Sequence, residues 1–414
     1  MTYNKDKFKV PYFYLIGIFY SGQGYSLGSL VLLFPIYMLN ELDASSRSEA
    51  VTIAAIMVIP WYVKFLFGLI TDNFPMRGMR RRPYLLIATI SSLIGWSTVY
   101  LHDEISIMFV LSGFMISLGS ALGDTVMDGQ TIEITPDRFA GRLQGINWGS
   151  RGLGLGAAGY VSSNIVDMYS WGTFFLIVGS VGVVITLLAM LLPEYNIQNK
   201  VVSDKISLLF KLKLILTDIK DILSKADPLL KINYFLFSGF SLSIVLQITL
   251  IMETEFGYSF REIGTTALIY AIGSFLGSIL NGVITDRNDN LIRYTVLNVA
   301  YSISIIYGIT FVYVRNEILE LIFFFMLGIF GGAFEAYQLK IIQKESKEPY
   351  ESTIFAIFTG ISNIGQFAMG GILLVYIADF FQIPLLMSMQ LLLITLLISY
   401  FFIYKFKFSK EIVN

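Results

Sequence analysis

The sequence predicts an all-α membrane protein with twelve transmembrane helices in two pseudo-symmetric six-helix bundles. Three observations support this prediction. Only 14% of the 414 residues are charged and 55% are hydrophobic, whereas a soluble globular domain carries about 25% charged residues. Apolar segments long enough to cross a bilayer recur along the chain, and a short motif of the first half returns in the second.

Twelve segments have the length of about 20 mostly apolar residues that a helix needs to cross a bilayer. Seven are uninterrupted: Pro83–Leu101, Ile105–Leu122, Trp171–Leu192, Leu229–Ile251, Leu291–Val314, Ile318–Phe334 and Ile383–Tyr404. Five are broken by Gly, Pro or one polar residue: Pro11–Leu39, Ser48–Thr71, Gly141–Ile165, Ile263–Thr285 and Thr353–Ala378. The first is interpreted as a span and not a signal peptide, because no small-residue cleavage site follows it.

The distribution of basic residues predicts the orientation. Of the 29 Lys and Arg residues, 24 fall in loops and tails on one side of the predicted membrane, and only Arg47, Arg261 and Arg315 fall on the other. Basic loops of multi-pass proteins face the cytoplasm. We therefore expect a protein of the cell (inner) membrane with both termini in the cytoplasm.

The predicted domain organisation is a six-helix bundle at residues 1–192, a cytoplasmic linker at 193–228 and a second six-helix bundle at 229–414. Within the linker, Lys205–Ser224 alternates Lys and Asp with Leu and Ile at roughly helical spacing. This pattern is typical of an amphipathic helix on a membrane surface, and equally of a solvated tether between the bundles. We expect a monomer in the lipid bilayer.

The composition excludes several classes of function. A net charge of −1 argues against nucleic-acid binding. The absence of cysteine excludes thiolate chemistry, and the single histidine, His102, leaves no His-based metal site. No phosphate-binding loop of the ATPase type occurs, and no Ser/His or paired-Asp motif indicates an intramembrane enzyme. We expect no metal, no cofactor and no enzymatic activity.

An internal repeat relates the two halves. Gly68-Leu-Ile-Thr-Asp72 returns as Gly282-Val-Ile-Thr-Asp286, each at the cytoplasmic end of the second helix of its half and each followed by arginines. Helices 4 and 10 each carry an intramembrane acid, Asp128 and Glu335 respectively. Two repeated six-helix halves are a transporter architecture, with the substrate site between them near the midplane.

The repeated Gly-x-x-x-Asp with its basic cluster resembles the signature loop of the major facilitator superfamily, over the whole chain. A narrower resemblance, to the folate–biopterin transporter family, covers mainly Lys64–Gly159. The strings that carry it are KFLFGLITDNFPMRGMRRRPYL (64–85), DTVMDG (124–129) and GRLQGINWGSRG (141–152). The broader resemblance implies the superfamily fold. The narrower resemblance implies a folate- or pterin-like substrate.

In the superfamily this loop acts as a latch that closes the cytoplasmic side. The resemblance and the repeat imply that role for Gly68, Asp72, Arg81, Arg82, Gly282, Asp286 and Arg287. The start of helix 11 near Ser352 and Thr353 is the expected partner, because a carboxylate is favoured at a helix N-terminus. The alternative is a basic loop that only fixes the topology.

Two charged residues lie at similar depth on neighbouring helices. Asp124 lies nine residues before Glu133, at the cytoplasmic end of helix 4, and Arg151 lies nine residues after Arg142, at the cytoplasmic end of helix 5. Nine helical residues span roughly 13 Å, so both side chains lie at the same depth. Arg151 is therefore a candidate to bind an anionic substrate group, with Asp124 or Asp128 exchanging a proton. A structural ion pair is the alternative. Asp128, about one turn from the cytoplasm, fits a gate better.

Glu335 is the only acid deep in helix 10. Its nearest base on that helix, Lys340, lies five residues on, towards the membrane surface. Buried carboxyl groups of this kind mark proton pathways. Glu335 is a candidate for proton coupling or, alternatively, a gating partner for basic groups on other helices.

Neutral polar and aromatic residues inside the spans complete a predicted substrate cavity. Besides Arg151, the candidates are Gln23, Tyr25, Asn147, Gln247, Tyr270, Asn363 and Gln366. Such a set suits a planar hydrogen-bonding ligand, although each residue alone is also typical of a helix–helix hydrogen bond.

Together these features predict a secondary transporter that moves a small polar or anionic organic solute by alternating access, driven by a proton or solute gradient. The alternative is a non-transporting protein of the same fold, such as a receptor or an assembly factor for pigment–protein complexes.

Overall fold

The computed structural model describes residues 5–194, 228–243, 256–287, 297–303, 316–346, 350–381 and 393–402, with isolated positions outside these ranges. Helical residues occur in this part of the chain at each of the twelve predicted positions. The candidate Gln247 and most of the predicted amphipathic helix Lys205–Ser224 lie outside the described residues.

The helices of the first half are α1 at Tyr12–Asn40, α2 in three pieces (Arg47–Met57, Ile59–Tyr62 and Phe65–Asn73), α3 at Arg82–Leu101, α4 at Ile107–Ile134, α5 at Ala140–Met168 and α6 at Trp171–Ala189. The second half contains α7 at Pro228–Leu242, α8 at Phe260–Arg287, α9 at residues 297–303, α10 at Glu317–Glu345, α11 in three pieces (Glu351–Asn363, Ile364–Leu373 and Leu374–Phe381) and α12 at Leu393–Phe402. Among the described residues, seven helices are long and apolar enough to cross a membrane.

The lipid-facing surface follows from helical spacing. On α3, Leu86, Ile90 and Ile94 recur every four residues and are 50%, 51% and 47% exposed. Residues four apart share one face of a helix. An apolar stripe that stays exposed in the folded chain is the surface expected against hydrocarbon.

Two helices continue beyond their apolar runs, as the placement of Asp128 and Glu335 on them requires. α4 continues to Ile134 and α10 to Glu345, whereas the apolar runs end at Leu122 and Phe334. The extensions contain Asp128, which is buried against other polar groups, and Glu335, which is 5% exposed. Apolarity marks the lipid-facing part of a helix, so it misses turns that face the protein interior.

Three helices depart from regular α geometry within the membrane. α2 is interrupted at Val58 and Val63, whose ψ angles are 10° and 17°. α1 and α11 contain π-helical stretches at Ser29–Leu33 and Ile364–Leu373. Non-helical backbone at membrane depth is tolerated where protein covers it, and π-bulges are frequent at functional sites.

Glycines allow close contact between the two halves. A Cβ atom at Gly145 of α5 would lie 2.5 Å from the carbonyl oxygen of Ser278 on α8, and one at Gly68 of α2 would lie 2.7 Å from Cα of Thr353 on α11. Both distances are too short for real Cβ contacts, so only glycine fits these positions. The α5–α8 and α2–α11 pairs correspond under the internal repeat.

Candidate functional site

The end of the molecule that carries Asp72 and Asp286 is called the basic end here, after its Lys- and Arg-rich loops. Asp72 closes α2 and is 8% exposed. Its Oδ2 accepts hydrogen bonds from the backbone N–H of Thr353 at 2.8 Å and from its hydroxyl at 2.7 Å. Thr353 lies in the first turn of α11, where the free N–H groups and the helix dipole favour an anion.

The second copy of the motif makes the corresponding contact. Oδ1 of Asp286, at the end of α8, accepts from the N–H of Gly141 at 2.6 Å. Its Oδ2 accepts from the N–H and Nε of Arg142 at 3.2 and 2.9 Å. Gly141 and Arg142 begin α5. At both places an aspartate from one half therefore binds the start of a helix from the other half.

Arg81 holds Asp72 in position from the other side. Its side chain is fully buried, contacts Asp72 Oδ1 at 2.9 Å and also pairs with Glu133 at the end of α4. Arg80 contacts the same two acids at 3.2 and 3.3 Å. Charge-assisted bonds with several partners fix the carboxylate more firmly than one exposed pair would. Arg80 and Glu133 were not among the predicted latch residues.

Two predicted latch arginines lie elsewhere. The backbone N–H of Arg82 and its guanidinium contact Glu194 at 3.1 and 3.7 Å, away from Asp72. Arg287 is exposed, and the guanidinium that contacts Asp286 is that of Arg142. The repeated motif was sufficient to identify the two aspartates. Which arginine contacts each aspartate depends on how the helices pack, and this could not be read from the sequence.

A third acid lies beside Asp72 and Glu133. Carboxylate oxygens of Asp72, Glu133 and Glu351 all lie within 4.8 Å of one another. Glu351 is 4% exposed, and its Oε2 has no hydrogen-bond partner among the described residues. The guanidinium groups of Arg80 and Arg81 already contact two of these acids, which disfavours a metal cation here.

Four buried charges meet near the middle of the first half. Nζ of Lys64 contacts Asp124 at 2.6 Å and Asp128 at 3.2 Å. The guanidinium of Arg151 pairs with the other oxygen of Asp124, and the hydroxyl of Tyr20 donates to Asp128 at 2.6 Å. Two cations and two anions balance, so the cluster buries no net charge, as an intramembrane site requires.

The local sequence explains how these groups meet. Asp124 and Asp128 are one turn apart on α4 and present two carboxylates to one face. Lys64 follows the interruption of α2 at Val63. The guanidinium carbon of Arg151 lies 5.1 Å from the ring centre of Tyr20 and 5.6 Å from that of Trp148, within the range of cation–π attraction.

Lys64 and Tyr20 are site residues that the sequence analysis did not assign. The Asp124–Arg151 contact was expected from equal depth on adjacent helices. Lys64 lies within a predicted span, and an intramembrane lysine is by itself a signal of function. Tyr20 gave no such signal, because tyrosine is common in this chain, with 24 copies.

Glu335 lies on α10 next to aromatic rings and near the charged cluster. It is 5% exposed, and its Oε2 has no hydrogen-bond partner among the described residues. Glu335 interacts electrostatically with Arg151 and with Tyr270 of α8. A Cβ at Gly331, one turn away, would lie 3.4 Å from the Tyr270 hydroxyl. Arg151, Tyr270 and Glu335 thus bring both halves to one region.

Buried amides connect the halves close to that region. Gln144 of α5 donates to Gln343 of α10 at 2.9 Å, and Asn147 donates to Gln144 at 3.4 Å. Oδ1 of Asn147 and Nε1 of the adjacent Trp148 have no hydrogen-bond partner among the described residues. Asn147 is one turn from Arg151 on α5, so its free oxygen is near the charged cluster.

The remaining predicted cavity residues are dispersed. Asn363 donates to the carbonyl of Trp61 at 3.2 Å, beside the interruption of α2. Gln366 is half-buried in the π-helical stretch of α11, and Tyr25 is half-buried on α1. Gln23 lines a separate cavity inside the first half.

Comparisons with known proteins agree with this arrangement. The family model described as Major Facilitator Superfamily matches residues 13–314 and 232–411. "Probable folate-biopterin transporter 4" of Arabidopsis thaliana is 30% identical over 173 residues, which are 39% of this chain and 34% of that protein. "Folate-biopterin transporter" of Synechocystis sp. is 27% identical over 154 residues, 36% of this chain and 31% of that protein. The chain thus aligns with about a third of the length of each.

A solved structure covers far more of the chain. The human organic anion transporter MFSD10 (TETRAN) superposes with a TM-score of 0.73 over 95% of this chain and 100% of that one, at 10% sequence identity. At such identity the likeness concerns the fold alone. It supports the prediction of twelve transmembrane helices in two bundles.

Proposed function

Because this chain belongs to the major facilitator superfamily of membrane transporters, we propose that it carries a small organic anion across the bilayer by alternating access, with folate- or pterin-like compounds as the first candidates. The observation that carries this proposal is Arg151, whose side chain is 13% exposed and whose guanidinium lies near two aromatic rings within a balanced charge cluster. The names of the relatives in Arabidopsis and Synechocystis supply the candidate substrates.

Arg151 has the chemistry for an anionic planar ligand. Its Nη2 donates to Asp124, whereas its Nε is buried without a hydrogen-bond partner among the described residues. A guanidinium presents a planar fork of donors that matches a carboxylate, and it stacks on aromatic faces. The rings of Tyr20 and Trp148 beside it suit the flat ring of a pterin or similar compound.

Lys64 makes an exchange of partners possible. When a substrate carboxylate takes Arg151, Asp124 would otherwise remain as an uncompensated buried charge. Lys64 already contacts Asp124 at 2.6 Å and keeps it neutralised. In this scheme Asp128 contacts Lys64 and Tyr20. A shift of Lys64 towards Asp124 would weaken its contact with Asp128, and Asp128 would thereby link substrate binding to gating at the basic end.

Glu335 is our candidate for proton coupling. A proton on this carboxyl would remove its attraction to Arg151 and free the guanidinium for an anion. The buried Oε2, which has no hydrogen-bond partner among the described residues, supports a group that changes its proton occupancy during the cycle. The transport of substrate and proton would then be linked through one arginine.

We also propose the placement of the protein in the cell (inner) membrane as a monomer, with bundles at 1–192 and 229–414 and a linker at 193–228. The basic end and both termini would face the cytoplasm, as the 24 Lys and Arg residues on that side favour. The contacts of Asp72 and Asp286 would then be the latch that closes the cytoplasmic side.

Uptake of radiolabelled folic acid and biopterin into proteoliposomes, with and without a pH gradient, tests this function. We expect saturable uptake that Arg151→Ala abolishes and Arg151→Lys reduces, with Arg138→Ala, an exposed position, as the matched control. No flux of any tested solute by a stably folded protein would favour the receptor or assembly-factor alternative. Normal uptake by Arg151→Ala would remove this residue from the site.

A further inference from the structure

A partly open cavity of about 40 Å³ lies within the first half, apart from the region between the halves. Its lining comes from α1, α3, α4 and α6 only. Five glycines line its walls: Gly22 on α1, Gly119 and Gly123 on α4, and Gly179 and Gly182 on α6. The cavity therefore belongs to one bundle, and it would persist when the two bundles move relative to each other.

Three residues that line this cavity carry polar atoms without hydrogen-bond partners among the described residues. Gln23 is 6% exposed, and both its Oε1 and its Nε2 are buried with no hydrogen-bond partner among the described residues. The hydroxyls of Ser26 and Ser120, which also line the cavity, are likewise buried and have no partner there. Four such atoms around one small space are unusual, because leaving a buried polar group unsatisfied is costly.

The lining also limits what can fill the space. Its members are neutral, with no charged side chain among them, so an ion would have no counter-charge. The amide of Gln23 offers both a donor and an acceptor, and the two hydroxyls can do either. A cavity needs roughly 10–15 Å³ of volume for each water molecule. This cavity of about 40 Å³ therefore has room for two or three water molecules.

We propose that this cavity is a hydration site in which two or three water molecules bridge Gln23, Ser26 and Ser120 at membrane depth. The water cluster satisfies the four orphan polar atoms and connects α1 to α4 inside the bundle. Gln23 thus acts as a ligand of buried water and not of the transported solute. The site adjoins the charged cluster along the chain, since Gly123 precedes Asp124 and Gln23 follows Tyr20 by one turn.

X-ray radiolytic footprinting of the purified full-length protein tests the proposal, because hydroxyl radicals formed from bound water label the side chains beside it. We expect Phe19, which lines the cavity and is 4% exposed, to be labelled well above Phe109, which is 0% exposed in a dry aromatic cluster. Gln23→Leu should reduce the labelling of Phe19 severalfold. Ser117→Ala should leave it unchanged, since Ser117 is also a buried hydroxyl without a partner on α4 but does not line the cavity.

Thermal unfolding gives an independent readout. In a hydrated cavity, Gln23→Leu and Ser120→Ala each lower the unfolding temperature, and their effects are less than additive because they share the same water. In a dry cavity, both substitutions would raise it by removing unsatisfied groups. Equal labelling of Phe19 and Phe109, or a rise in the unfolding temperature with both variants, would overturn the proposal.

Discussion

Asp72 and Thr353 join the two halves of the molecule: the carboxylate at the end of α2 accepts both the N–H and the hydroxyl of the residue in the first turn of α11, at 2.8 and 2.7 Å. Asp286 repeats the contact with the N–H of Gly141 at the start of α5. The same chemistry at two pseudo-symmetric positions joins the two halves at the basic end, and we expect these contacts to break when that end opens.

Asp72→Asn should favour opening at the basic end. The amide keeps the shape but loses the charge that Arg81 and the start of α11 stabilise, a loss of about 1–2 kcal/mol, or roughly five- to thirtyfold in the open-to-closed ratio. Because the chain has no cysteine, a single reporter, Ser278→Cys on the buried α5–α8 surface, can be labelled uniquely. We expect faster labelling in the Asp72→Asn background.

Asp137→Asn is the control for that experiment. Asp137 lies at the same end but is 93% exposed and pairs only with Lys5 among the described residues, so an exposed pair of this kind should contribute little. Unchanged labelling of the Ser278→Cys reporter in the Asp72→Asn background would contradict the latch.

Gly68→Ala should also favour opening at the basic end, in this case by disturbing the packing of α2 against α11. An added Cβ would lie 2.7 Å from Cα of Thr353, so α2 and α11 must separate at the basic end. Overpacking of this kind costs about 1–3 kcal/mol. Gly172→Ala is the matched control, because a Cβ there would meet no atom closer than 3.7 Å. If both variants unfolded at the same temperature and were labelled equally, the close contact would not matter.

Lys64→Met should destabilise the protein strongly. Asp124 and Asp128 would then share only Arg151 as a cation, and breaking a buried ion pair costs about 3–5 kcal/mol. Adding Asp128→Asn restores a neutral cluster. We therefore expect the double variant to unfold at a higher temperature than Lys64→Met alone, as measured by thermal unfolding in detergent. Simple additivity of the two substitutions would show that the charges do not act as a unit.

Glu335→Gln should separate proton coupling from substrate exchange. The amide cannot take up or release a proton, so stimulation of uptake by an acidic outer pH is expected to disappear, while exchange of labelled for unlabelled solute at equal pH persists. Glu320→Gln, an acid near the opposite end of the same helix that contacts Tyr258, is the control. Retained acid stimulation in Glu335→Gln would exclude this carboxyl as the coupling group.

The sequence predicted the fold well because the bilayer imposes simple rules. Length, apolarity and the repeat of Gly68–Asp72 at Gly282–Asp286 were sufficient for twelve helices in two bundles. Apolarity alone gave shorter helices: α4 and α10 continue past their apolar runs through Asp128 and Glu335, as expected from the placement of these acids on helices 4 and 10. The interruption of α2 was expected from the Gly, Pro and polar residues of Ser48–Thr71, and Pro60 lies in the first turn of its middle piece.

Part of the site could be derived from spacing and part could not. The relation of Asp124 to Arg151 follows from equal depth on adjacent helices. The role of Lys64 could not be assigned, because its partners lie about 60 residues away on α4 and only the helix packing brings them together. Gln23, in contrast, was predicted to line the substrate cavity between the halves, but it lines a cavity formed by helices of the first half only.

The most direct test of alternating access is the distance between spin labels at Asp137 and Arg287, two exposed positions at the basic end, beside α5 and at the end of α8, measured by double electron–electron resonance. We predict one short distance in the closed protein, and a second, longer one that grows in the Asp72→Asn variant and in the presence of a transported solute. A single unchanging distance under conditions in which the labelled protein transports solute would contradict the account.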